Sequence, residues 1–100
     1  MSKHYNSLRG IKKDIDYVIG AFIDDCSLFS TVNKNADDEE LGALLDEAVN
    51  LYNDLRDKIN AKNVEGKKSA YYRSIRQELL DKTDTLYDKL SELVGKTVKA

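Results

Sequence analysis

The chain has no proline and no tryptophan, a single cysteine, a single histidine, and glycine at only five of its 100 positions. Each shortage excludes something. Without proline, nothing in the sequence obliges a helix to kink or stop. With Cys26 alone there is no intramolecular disulfide and no zinc site of paired cysteines. Its place on the apolar side of the first helix makes it a small core residue. The only histidine, His4, provides no Glu-x-x-His pair of the kind that di-metal helical bundles use. There is no glycine-rich phosphate loop, and no nucleophile has a base near it in sequence. These gaps point away from an enzyme, and no cofactor or metal is expected.

Long apolar runs are missing too. The most apolar stretch, residues 14–29 (DIDYVIGAFIDDCSLF), is broken by Asp14, Asp16, Asp24 and Asp25. A carboxylate at the bilayer centre costs about 2.5–3.5 kcal/mol, so this is no membrane span and no membrane partner is expected. Residues 1–9 carry basic side chains but neither an apolar segment nor a cleavage motif. No secretory signal is read there, and the expected location is cytoplasmic.

Charge and helical spacing are abundant. Charged residues make up 34% of the chain and apolar ones 41%, too many and too periodic for disorder. Over 7–31, Leu8, Ile15, Phe22 and Phe29 recur every seven residues, with Ile11 and Val18 between them. Ile19 and Cys26 widen that seam, and Asn6 or Ser7 is placed to cap its start. Over 38–62, Leu41, Leu45, Ala48, Tyr52, Leu55 and Ile59 alternate by four and three, broadened by Leu44 and Leu51. Over 69–94 the seam is Tyr72, Ile75, Leu79, Leu86, Leu90 and Leu93, helped by Leu80, Tyr87 and Val94. Ser69 is the expected start cap and Gly95 the expected end cap.

The first connection alternates Asn33, Asn35 and Asp37 as a calcium loop does. It has Asp38 where such a loop needs glycine and Leu44 where it needs a bidentate glutamate. It reads instead as a turn, with Asp37 and Glu40 as a capping pair. Gly66 breaks the chain in the second connection. Three matched helices joined by short loops give one all-α domain, an antiparallel up-down-up three-helix bundle over residues 1–100. The runner-up is an assembly in which helix 1 packs against its own copy.

That topology sorts the charges. The starts of helices 1 and 3 and the end of helix 2 share one pole, where Lys and Arg outnumber Asp and Glu. The other pole has the reverse balance, so a net charge of −2 conceals unlike ends. Lys67, Lys68, Arg73 and Arg76, interleaved with Tyr71 and Tyr72, form a candidate surface for phosphate or an acidic protein patch. A solvated surface with no partner is the other reading. Helix dipoles explain the acidic start of helix 2, but not a basic pole where two helices begin. On helix 1, Tyr17, Gly20, Ala21 and Ile23 lie outside the seam, and Gly20 is roughly opposite it. They mark a second contact face.

The run Lys13-Asp14-Ile15-Asp16-Tyr17-Val18, with Asp24-Asp25-Cys26 and residues 74–82 (SIRQELLDK), resembles a family of short uncharacterised helical proteins of Bacteroidetes-type bacteria. The resemblance implies a helical fold and carries no activity. Taken together, these features lead us to expect a small non-catalytic interaction module. It would bind a protein partner or itself through helix 1's extra face or its charged poles. The alternative is an RNA- or ribosome-associated protein that uses the basic pole, by backbone contact rather than major-groove readout.

Overall fold

The computed structural model describes residues 7–33, 38–61 and 66–99. Helix α1 spans Leu8–Val32, α2 Asp38–Ile59 and α3 Lys68–Lys99. Each packs against both others in an up-down-up bundle measuring 51 × 27 × 17 Å.

Cross-helix pairs record the directions. Stepping back along α2 from Lys58 through Glu47 to Glu40 advances the α3 partner from Glu78 through Lys89 to Lys96, so α2 and α3 are antiparallel. Arg76 with Asp14 and Tyr87 with Asp25 are both separated by 62 residues, so α1 and α3 run parallel.

The core follows the heptad stripes. Ile11, Ile15, Ile19, Phe22, Cys26 and Phe29 come from α1, and Leu41, Leu44, Ala48, Leu51, Leu55 and Ile59 from α2. Ile75, Leu79, Leu86, Leu90 and Leu93 come from α3. Burying each large aliphatic or aromatic side chain contributes about 1.5–3 kcal/mol, which outweighs any single surface pair. Phe22 meets the Tyr87 ring edge to face at 4.9 Å and 89°.

One helix start and one end are closed visibly. Ser7 Oγ accepts the Gly10 N–H at 3.1 Å, so Ser7 caps α1 as expected. Asn33 ends α1 by donating its backbone N–H and its side-chain amide to the Phe29 carbonyl. Gly66 takes φ +80°, the left-handed turn that favours glycine, just before α3.

Several expectations shift. The three helices are not matched: they have 25, 22 and 32 residues. α2 ends at Ile59 rather than 62, because Ala61 N–H bonds the Lys58 carbonyl in a tighter turn. α3 starts one residue early. The Lys67 carbonyl accepts the Tyr71 N–H at 3.1 Å, so Lys67 holds the cap position and Ser69 sits inside the first turn. Gly95 does not end α3, since among the described residues only Gly66 has positive φ. Lys96, bonded to Glu40, ties the next turn to α2 and the helix runs to Lys99. Leu8 and Leu80 are exposed, and Thr83 fills the core position between Leu79 and Leu86. Asn6, Asn35, Asp37 and the lead-in with His4 lie outside the described residues.

Candidate interaction surface

The basic pole is smaller than the sequence suggests. Arg76 does not belong to its surface: it is only 6% exposed, and its Nε and Nη2 both bond Asp14 Oδ2, at 2.7 and 2.5 Å. The reason is its place on α3 beside Ile75, on the side that faces α1. Arg56 lies over the Tyr52 ring and reaches Asp16 at 3.4 Å, and Tyr52 donates its hydroxyl to the same carboxylate at 2.9 Å. That hydrogen bond pushes the Tyr52 phenol up from its ordinary value. Lys58 grips both oxygens of Glu78 at 2.8 and 2.9 Å.

Six cations at this pole make no ion pair among the described residues: Arg9, Lys12 and Lys13 on α1, and Lys67, Lys68 and Arg73 at the start of α3. Lys67, Lys68 and Arg73 are all exposed. Neither α1 nor α3 has an acid in its first turn.

The two tyrosines beside them do structural work. Tyr71 Oη donates to the Lys58 carbonyl at 2.8 Å, which satisfies a carbonyl in the last turn of α2. Tyr71 and Tyr72 are half-buried against the core with ring centroids 6.0 Å apart. Their rings are therefore only partly open to a partner. Cys26 is fully buried, and burial together with the Asp25 carboxylate pushes its thiol up from the ordinary range. Tyr87, whose hydroxyl donates to Asp25 at 2.6 Å, is pushed up to about 12, first by burial and then by that bond.

The outer face of α1 is different. Tyr17 is 79% exposed, the most open large apolar residue among those described. Gly20 has nothing within 4 Å of where a Cβ would stand, so it leaves an open notch rather than a tight contact. That notch, of about 280 Å³, is lined by Asp16, Ile19, Gly20, Ile23, Val49 and Tyr52. Ile23 is half-buried there and packs against the core towards α2. Tyr17 and Gly20 thus share one side of the molecule, while Tyr71, Tyr72 and the pole lysines lie at its end.

Sequence reasoning missed two members of this face. Leu28 and Val32 are 61% and 66% exposed. Part of the signal was present: Leu28 stands eleven residues from Tyr17 and so on nearly the same line of the helix, away from the seam, while Val32 lies at the end of α1, turned towards the α3 side. Weighing the seam alone hid it.

Among the described residues no group of three or more His, Cys, Asp or Glu is placed to hold a metal ion. No described helix is long and apolar enough to cross a membrane. No family model, no curated protein and no solved structure matches the chain. The functional reading rests on this geometry.

Proposed function

We propose that the chain is a small non-catalytic helical module that acts by contact, docking a protein on the outer face of α1. The observation that carries this reading is the exposure of Tyr17 and Leu28 along one line of a helix whose other side is used by the core, with Val32 open at the end of the same helix. Large apolar side chains standing that open on one face cost solvation that a partner would relieve, and tyrosine is an enriched anchor residue at interfaces. The resemblance to short bacterial helical proteins implies no activity and does not alter this choice.

A second reading has its own observation. Arg9, Lys12, Lys13, Lys67, Lys68 and Arg73 make no ion pair among the described residues and lie where two helices begin, which suits an RNA backbone.

The experiment is affinity capture of the tagged chain with and without nuclease, beside a Tyr17→Glu/Leu28→Glu variant and a Lys67→Glu/Arg73→Glu variant. A protein retained after nuclease and lost with the α1 variant is the expected result. Partners that vanish with nuclease and with the α3 variant would overturn it in favour of RNA.

A further inference from the structure

We infer that the protein docked on α1 is a second copy of the same chain, with the two α1 helices antiparallel across a two-fold axis. This rests on the α1 docking reading above.

Along the outer face of α1, large exposed residues stand at Tyr17 and Leu28, eleven positions apart. Small residues stand at Gly10 and Ala21, also eleven apart, and a cation and an anion that make no ion pair among the described residues at Lys13 and Asp24, again eleven apart. Eleven residues are just over three helical turns, about 16.5 Å of rise. Each pair therefore keeps to one line of the helix.

An antiparallel copy that sets Tyr17 over Ala21 of its partner necessarily sets Leu28 over Gly10. Each knob then meets a small residue, which lets the backbones approach. The same register brings Lys13 beside Asp24 of the other chain, twice, by symmetry. In antiparallel helices a flank faces its own counterpart, and Lys13 and Asp24 lie on the same flank, towards α2. On the opposite flank, Asp14 and Asp25 are already held by Arg76 and Tyr87, so these acids are drawn towards α3. A parallel pairing fails: it sets Tyr17 on Tyr17, Lys13 on Lys13 and Asp24 on Asp24.

The test uses the full chain in sedimentation equilibrium over a concentration series. A reversible dimer is expected. Lys13→Asp and Asp24→Lys, both at exposed positions, should each raise the dissociation constant by about tenfold. The double swap Lys13→Asp/Asp24→Lys should restore it, with circular dichroism unchanged throughout. A dimer indifferent to all three variants overturns this interface. A chain that is monomeric at every concentration overturns the second copy as the occupant. If that monomer still retains another protein that Tyr17→Glu/Leu28→Glu releases, the docking reading survives; if it retains none, both fail.

Discussion

Thr83 puts a hydroxyl into the core with no hydrogen-bond partner among the described residues. The residue is 4% exposed, so water does not relieve it. An unsatisfied buried polar group costs about 1–3 kcal/mol, while an apolar side chain of the same shape does not. Thr83→Val is therefore expected to stabilise the chain by about 1 kcal/mol, and to raise the thermal midpoint by about 4–8 °C. A midpoint that stays or falls would show that the hydroxyl is bonded in solution. Thr83 and Arg76 were both illegible in the sequence for one reason. Periodicity was counted over apolar residues, and each of these is a polar side chain at a core-facing position. Arg76 is tolerated there because Asp14 stands 62 residues earlier on the parallel helix, a pairing that only the assembled bundle creates.

Helices were more legible than their ends. The six buried residues of α2 all stood in its expected stripe, because a core-facing stripe repeats many times and single errors average out. An end depends on one or two residues and on tertiary contacts. Leu8 was expected in the seam by stepping back seven residues from Ile15. Tyr52 and Arg56 meet α1 at Asp16, and Ile59 is one turn farther, so α2 stops short of Leu8 and leaves it exposed. Gly95 read as a stop because glycine often follows a helix, yet the contact between Lys96 and Glu40 carries α3 through it. The sign of one substitution separates the two cases. Were Gly95 a left-handed cap, alanine there would destabilise. Inside a helix, with open space where its Cβ would stand, Gly95→Ala should stabilise by about 0.5–1 kcal/mol. Urea unfolding of the two proteins measures it, and a lower midpoint for the alanine variant would return Gly95 to the helix end.

At the scale of the molecule, charge selects register while the core supplies the stability. Lys58 with Glu78, Glu47 with Lys89 and Glu40 with Lys96 match only when α2 and α3 are antiparallel and in this alignment. Exposed pairs are worth about 0–1 kcal/mol each, so their effect is to penalise slipped alignments. Their pH dependence follows from the one pair whose two partners both shift. Lys58 holds the Glu78 carboxyl below its ordinary 4.5, against the opposing pull of burial and with help from Lys82. Glu78 in turn raises the Lys58 ammonium above its ordinary 10.5. A depressed carboxyl stabilises the fold above the unfolded value and loses that contribution as pH falls through the folded one. A raised ammonium stabilises below the unfolded value and loses it as pH rises through the folded one. Tyr87, raised from 10.0 to about 12, behaves like the ammonium and begins to cost stability above pH 10. Stability is expected to be level between about pH 5 and pH 10 and to fall on both sides. Glu78→Gln should lower the plateau and flatten the acid limb, because the glutamine resembles the protonated acid. The two denaturation curves should then converge as pH drops below the carboxylate range. A gap that persists unchanged into acid would mean that Glu78 contributes by packing rather than through its charge.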